Sequence, residues 1–213
     1  MTFQSSRLRS CWISSIAILL GMFSSCSDLG PETIDLSYRD QFPLRPGCYW
    51  KYAVHQIENY GPSSVTDYIF TFRTIGIVHN PDRDRWGIVQ TILGQPGSDT
   101  TFAEVIGDTV KIGWYQGGFT VTYVYVFPMF VGQSWPLYSS RVEVRSNMPV
   151  DTKAGRFENG FMLYSTWSNG LGQGEEDLWL VPGVGIVKRH VNFYFESPPY
   201  DITEELSEYR IPP

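Results

Sequence analysis

The sequence predicts an all-β protein, built as a single antiparallel, strongly curved sheet that forms a half-barrel or barrel-like structure of about eleven strands. Three observations predict it. Apolar and polar residues alternate with a period of two, as strands with one buried face require. Turn residues recur about every 8–15 residues. Aromatic residues make up 15% of the chain and charged residues only 18%, a composition that favours strands over disorder.

The first predicted strand shows the alternation most clearly, because Trp50, Tyr52 and Val54 fall on one face and Lys51 on the other. Turns rich in Gly, Pro, Asn and Asp separate the strands that follow, and Gly107-Asp108 between two β-type runs indicates a hairpin. The predicted strands span 49–57, 65–78, 86–93, 100–106, 109–115, 119–127, 141–148, 157–167, 178–181, 185–195 and 201–209.

The second half of the chain contains three informative segments. In 141–148, Val142 and Val144 alternate with charged residues, which predicts a strand with one wet face. The acidic run 175–177 directly follows a Gly-rich segment and is predicted to be a solvated loop. For 204–210 the pattern leaves a short helix open beside the strand.

The N-terminus has the layout of a secretory signal. Arg7 and Arg9 precede an apolar run over 12–22, which is shorter than the about 20 residues that a bilayer span needs. Ser24-Ser25-Cys26 follows and resembles the lipobox of bacterial lipoprotein signal peptides, with Phe23 where that motif usually has Leu. The alternative is an ordinary signal peptide cut nearby, with Cys26 incidental.

The resemblance implies three regions: a signal peptide over 1–25, a lipidated N-terminus and flexible tether over 26–41, and an all-β domain over 42–213. Cys26 would carry the lipid. Ser27 is not the Asp that, in enteric bacteria, retains lipoproteins at the inner membrane, so the expected location is the cell envelope, at the outer membrane and facing the periplasm.

Charge and cysteine content limit the partners. Without residues 1–25 the chain has 14 basic and 22 acidic residues, a net charge of −8, and lacks a basic patch, which argues against nucleic acid. The expected membrane contact is the lipid anchor. Cys11 leaves with the signal, so Cys48 has no partner for an internal disulfide and is interpreted as a structural thiol rather than a nucleophile.

Four motifs resemble those of secreted lipoproteins of Bacteroidota. Residues 42–52, FPLRPGCYWKY, are similar to the "PLxxGxxWxY" opening, and 181–188, VPGVGIVK, to the closing "PGVGxVK". Residues 131–135 and 154–159 fit "VGxxW" and "AGxFxN". The resemblance implies a fold similar to the half-barrel lipoproteins related to LolA and LolB, which hold lipid or acyl chains against a curved sheet. Gly, Pro and Trp in these motifs describe turns and packing and carry no catalytic group.

The sequence lacks a recognisable constellation of catalytic residues. His55, His79 and His190 lack metal-ligand spacing, and neither a nucleophile elbow nor a phosphate-binding Gly loop occurs. Asp82 and Asp84 begin like a calcium loop but lack its Gly and Glu. The sequence therefore predicts no catalytic residues, no metal, no cofactor and no enzymatic activity.

Aromatic residues of the middle strands are the candidate binding residues. They are either packed core or one face of an apolar groove that binds a ligand. The residues assigned to this face are Trp86, Trp114, Phe119, Tyr123, Tyr125 and Phe127.

Three hypotheses remain at this point. The first is a non-enzymatic envelope lipoprotein that binds an apolar ligand or an envelope partner on its curved sheet. The second is a structural or assembly accessory that acts through protein contacts at an exposed strand edge. The third is a glycan-active enzyme, which requires two carboxylates facing each other across a cleft.

Overall fold

Twelve antiparallel strands form one sheet that is nearly closed into a barrel. The computed structural model describes residues 41–58, 64–78, 85–93, 95–115, 118–138, 140–169, 172–194 and 199–213. The strands are β1 (Tyr49–Glu58), β2 (Ser64–Val78), β3 (Arg85–Ile92), β4 (Asp99–Ile106), β5 (Thr109–Tyr115), β6 (Phe119–Val126), β7 (Ser134–Leu137), β8 (Ser140–Thr152), β9 (Gly155–Asn169), β10 (Gly172–Val181), β11 (Gly185–Phe193) and β12 (Tyr200–Arg210).

The order of strands across the sheet is β6-β5-β4-β3-β2-β1-β12-β11-β10-β9-β8-β7. Each strand pairs with its neighbour along the chain except at the centre, where β1 pairs with β12. This order confirms the all-β, single antiparallel, curved sheet that the alternation predicts. Among the described residues, no helix is both long and apolar enough to cross a membrane.

One prediction in the second half of the chain was wrong, and one strand was missed. The acidic run 175–177 is part of β10 and not a solvated loop, because β9 and β11 supply hydrogen-bonding ladders on both of its sides. The structure has twelve strands where eleven were predicted, and the additional strand is β7. The helix left open for 204–210 does not form, since these residues continue β12 beside β1.

The buried residues of β1 and β8 are those that the alternating sequence pattern predicts. Trp50, Tyr52 and Val54 of β1 are buried, and so are Val142 and Val144 of β8. A second apolar cluster, centred on β1, adds Cys48 and Leu206 among others, and the larger cluster extends from β3 to β10. Burial of both clusters is the main stabilising contribution to such a sheet.

The two edge strands, β6 and β7, meet at a seam. No backbone ladder joins the described residues of these strands. Side chains bridge them instead: Trp135 Nε1 donates a hydrogen bond to the Val124 carbonyl oxygen at 2.8 Å, and the Tyr138 hydroxyl donates to the Val121 carbonyl oxygen. These bonds satisfy edge carbonyls that would otherwise face water or a neighbouring chain.

Candidate functional site

A cavity of about 480 Å³ lies on the inner side of the curved sheet. It is bordered by inward side chains of β1 to β6 and of β11 and β12. Most of the wall is apolar and aromatic. The lining residues are Phe42, Trp50, Tyr52, Phe70, Phe72, Ile88, Gln90, Asp99, Thr100, Thr101, Ile112, Trp114, Thr122, Tyr123, Gly185, Ile186, Arg189 and Glu204.

Three rings from β1 and β2 build the aromatic wall. Tyr52 stacks on Phe70 with ring centroids 5.0 Å apart and meets Phe72 edge-on at 5.8 Å. Phe70 and Phe72 also meet edge-on, at 5.0 Å. The register explains the grouping, since Tyr52 pairs with Phe70 across the ladder and Phe72 follows two residues later on the same face. We call Tyr52, Phe70 and Phe72 the aromatic wall.

Two of the sequence motifs meet beside this wall. The ladder between β11 and β12 ends at Lys188 and Glu205, so the start of β11 has no backbone partner on that side. Trp50 Nε1 donates to the Val184 carbonyl oxygen at 2.6 Å, and the Tyr52 hydroxyl donates to the Ile186 carbonyl oxygen at 2.7 Å. Side chains of the opening motif thus hold the backbone of the closing motif.

Gly185 makes this junction possible. Its φ of +100° lies in a region that residues with a side chain rarely adopt. A Cβ at this position would also lie 3.5 Å from Trp50 Nε1. That distance is an ordinary van der Waals contact, so the backbone conformation, and not the approach of the indole, requires the glycine of the closing motif.

A charged cluster lies beside the aromatic wall, and two of its members, Arg189 and Glu204, line the cavity. Arg189 Nε lies 2.5 Å from Glu176 Oε1, and Arg189 Nη1 lies 3.0 Å from Glu204 Oε1. The guanidinium carbon lies 5.7 Å from the centroid of the Tyr123 ring. Burial raises the pKa of Glu204, and the neighbouring Arg189 counteracts this rise. We call Arg189, Glu176 and Glu204 the interior charge cluster.

A second, smaller cavity of about 20 Å³ adjoins this cluster. Tyr125, Ser165 and Glu176 are among its lining residues, and its size suits one water molecule. The Tyr125 hydroxyl is buried and has no hydrogen-bond partner among the described residues. Burial raises its pKa well above the ordinary value, so it stays protonated at neutral pH.

The mouth of the large cavity lies at the first-half strands. Asp99 and Thr100 at the start of β4, and Thr122 of β6, are exposed. Trp114 of β5 is 58% exposed and also lines the cavity. An exposed indole at the rim gives the opening an apolar edge.

The predicted aromatic face separates into cavity and core. Tyr123 and Trp114 line the large cavity. Tyr125 and Phe127 are only 2% and 3% exposed and belong to the main core. Trp86 packs, half-buried, against that core.

Phe119 lies away from the cavity, under the guanidinium of Arg85, whose carbon is 4.4 Å from the ring centroid. Arg85 is itself buried and lies 3.5 Å from the buried Glu104. Cys26 lies outside the described residues, as does His79.

The charged residues of the site were not predicted from the sequence, although their positions in the alternating pattern indicate them. Each occupies an inward position of an alternating strand. Arg189 lies between Val187 and Val191, and Glu204 between Ile202 and Leu206. Glu176 precedes Leu178 by two residues in the same way. A charged residue flanked at i±2 by apolar ones indicates a buried charge that requires a partner.

Two histidines each pair with an aspartate, and the cysteine among the described residues is buried. His55 Nδ1 lies 2.7 Å from Asp67 Oδ1, and His190 Nε2 lies 2.8 Å from Asp201 Oδ2. Cys48 is fully buried, and burial raises the pKa of its thiol, which disfavours the nucleophilic thiolate. Among the described residues, no three His, Cys, Asp or Glu side chains are grouped so that they could hold a metal ion.

Comparison with known proteins finds similarity of structure but not of sequence family. No family description and no curated protein matches the chain. The structure is similar to a protein of Bacteroides fragilis that is assigned as exported and has a YmcC-like fold, with a TM-score of 0.51 and 14% identity over 80% of this chain and 98% of that one.

A second similar structure comes from Parabacteroides distasonis. It belongs to a protein assigned as a lipoprotein, with a TM-score of 0.48 and 12% identity over 82% of this chain and 98% of that one. At these identities the shared fold rests on the first comparison alone. The similarity to LolA and LolB stays a prediction.

Proposed function

We propose that this chain is a non-enzymatic envelope lipoprotein whose interior cavity holds an apolar small molecule. The observation that carries the proposal is the cavity of about 480 Å³ lined by the aromatic wall. Ligand sites in proteins are concave, mainly apolar and about 300–1,000 Å³ in volume, with a few polar groups that orient the ligand. Arg189 and Glu204 of the interior charge cluster supply such polar groups, together with Gln90 and the polar residues of β4.

The arrangement of carboxylates supports a binding role over glycan hydrolysis. Hydrolysis by two carboxylates requires that each be free to reach the glycosidic bond or a water molecule. Glu176 and Glu204 are both held by the same guanidinium of Arg189. Glu176 lines the small cavity and not the large one.

The envelope location is supported by the N-terminal sequence. A positive start, an apolar run and Ser24-Ser25-Cys26 fit a lipoprotein signal, and proteins assigned as exported or as lipoproteins are among those of similar structure. The proposed location is the outer membrane, facing the periplasm. Replacement of Cys26 by Ser should move the chain from the membrane to the soluble fraction, whereas unchanged fractionation would contradict acylation at Cys26.

Binding can be tested with N-phenyl-1-naphthylamine, a neutral apolar dye that fluoresces in apolar surroundings. The purified full chain, carrying Cys26→Ser to remove the acylation site, should bind the dye in a saturable way. Thr101→Phe places a ring in the cavity and should weaken binding at least about tenfold, which corresponds to about 1.4 kcal/mol.

Thr166→Phe is the matched control, because Thr166 lies on the exposed face of β9. Dye binding that is absent, or equally weakened by both substitutions, would contradict the cavity as the ligand site.

A second candidate function is an accessory role through protein contacts. The loop between β6 and β7 exposes Phe130 and Val131, which are 61% and 55% exposed. The two edge strands at the seam also offer backbone groups to a partner strand. Crosslinking on intact membranes tests this role, and substitution of Phe130 by Ser should remove a specific product if the loop recruits a partner.

A further inference from the structure

The charges of the large cavity do not balance. Arg189 is the one cationic side chain among the described residues that line it. Its guanidinium is already engaged by Glu176 and Glu204, and Asp99 adds a further carboxylate at the mouth. The lining therefore carries one positive charge against two negative ones, and Glu176, which pairs with Arg189 from outside the lining, adds a third negative charge.

An anionic head group would find no available cation in this arrangement. A carboxylate or phosphate that enters the cavity would approach an arginine whose positive charge is shared between two carboxylates, and it would meet the repulsion of Glu204 in surroundings of low dielectric. A cationic head group would instead meet an excess of negative charge. Burial and the neighbouring Glu176 raise the pKa of Glu204, and Arg189 offsets this rise only in part.

The aromatic side chains of the cavity favour the same kind of ligand. Ring faces attract ammonium groups, and this attraction grows when the cation is removed from water. The Tyr52 ring belongs to the aromatic wall, and Tyr123 lines the same cavity with its ring 5.7 Å from the guanidinium carbon of Arg189. Carboxylate and aromatic faces thus border the same space.

We propose that the cavity selects amphiphiles whose head group is a positively charged amine, held near Glu204 with the apolar tail against the aromatic wall. This inference rests on the proposed binding function, and it adds the chemical class of the ligand.

Three probes with the same twelve-carbon tail test the inference: dodecyltrimethylammonium, dodecanol and dodecanoate. Each is titrated below its micelle concentration against the dye-loaded full chain carrying Cys26→Ser. The cationic probe should displace the dye at a concentration at least about tenfold lower than dodecanoate, with dodecanol between them.

Glu204→Gln removes the proposed anionic partner and should reduce the preference for the cation over the anion about tenfold. Glu205→Gln is the matched control, because Glu205 is the next residue of β12 and faces away from the cavity. A preference that survives Glu204→Gln overturns the inference. If Glu204→Gln does not fold, the relative concentrations at which the three probes displace the dye from the parent chain test the inference instead.

The two proposals fail in different ways. Dodecanol that displaces the dye, while dodecanoate equals or exceeds the cation, overturns the amine preference and leaves the binding function standing. If the dye does not bind in a saturable way, or no probe displaces it, both proposals are overturned.

Discussion

Removal of one hydroxyl should loosen the junction between the two ends of the domain. Tyr52 is 4% exposed, and its hydroxyl donates to the Ile186 carbonyl oxygen at 2.7 Å. Tyr52→Phe keeps the ring, and therefore its packing against Phe70 and Phe72, but removes the donor. Any loss of stability thus reports the hydrogen bond and not the loss of aromatic packing.

The size of the effect follows from the surroundings of the bond. A typical hydrogen bond contributes about 1 kcal/mol net, and a buried acceptor left without a donor costs about 1–3 kcal/mol. The Ile186 carbonyl lies where the β11–β12 ladder has ended, so β12 supplies no backbone donor in its place. We expect Tyr52→Phe to lower the free energy of unfolding by about 2 kcal/mol. For a chain of this size that equals about 4–8 °C in melting temperature.

Urea unfolding, followed by far-UV circular dichroism, measures this change against a control. Tyr49→Phe removes a hydroxyl from the same strand on the outward face and should change stability by less than about 0.5 kcal/mol. Since Trp50 holds the neighbouring Val184 carbonyl, Trp50→Phe and Tyr52→Phe should be coupled by at least about 0.5 kcal/mol, with the double variant losing less than the sum. Equal stabilities of Tyr52→Phe and Tyr49→Phe would refute the reasoning.

Three further predictions concern the seam, the sheet and the pH dependence of stability. Trp135→Phe removes the donor to Val124 and should cost about 1–3 kcal/mol in urea unfolding, and an unchanged midpoint would contradict the closure by side chains. Gly113→Ala places a Cβ against the backbone of β6 and should lower the melting temperature, whereas Gly118→Ala meets open space and should not. Burial raises the pKa of Asp177 above its ordinary value of 3.8, so the folded state holds the carboxyl proton more tightly than the unfolded state does. The free energy of unfolding therefore falls as the pH rises from the pKa of the unfolded state to the higher pKa of the folded state. Asp177→Asn should therefore gain stability relative to the parent chain at pH 7 but not at pH 3, and an equal gain at both values would contradict this assignment.

Most of the sheet could be predicted because its alternation is local. The inward faces of β1 and β8 follow directly from residue order, as the burial of Trp50 and Val144 confirms. Strand β7 could not be predicted, because four residues that include Pro136 are too short to display a period. The first half of β10 combines Gly with three acidic residues, which disfavours a strand locally, and only the ladders from β9 and β11 make it one.

The site was less accessible to sequence reasoning than the fold. The sequence shows that the middle strands are rich in aromatic residues. That enrichment does not distinguish Tyr123, which lines the cavity, from Tyr125, which lies in the core two residues later. Both residues fall on the same face of β6, so alternation assigns them the same surroundings. The pairing of Arg189 with Glu176 and Glu204 depends on the register of three strands, which no single segment encodes.

The division of the cavity into an aromatic and a charged side follows from the order of the strands. Strands β1 and β2 supply the aromatic wall, and β10 to β12 supply the interior charge cluster. These groups lie beside each other because β1 pairs with β12, which brings the two ends of the domain together at the centre of the sheet. The same pairing brings the opening and closing motifs into contact through Trp50 and Tyr52. Because Arg189 lies in the same strand as Ile186, a substitution at this junction should alter the proposed preference for cationic ligands as well as stability.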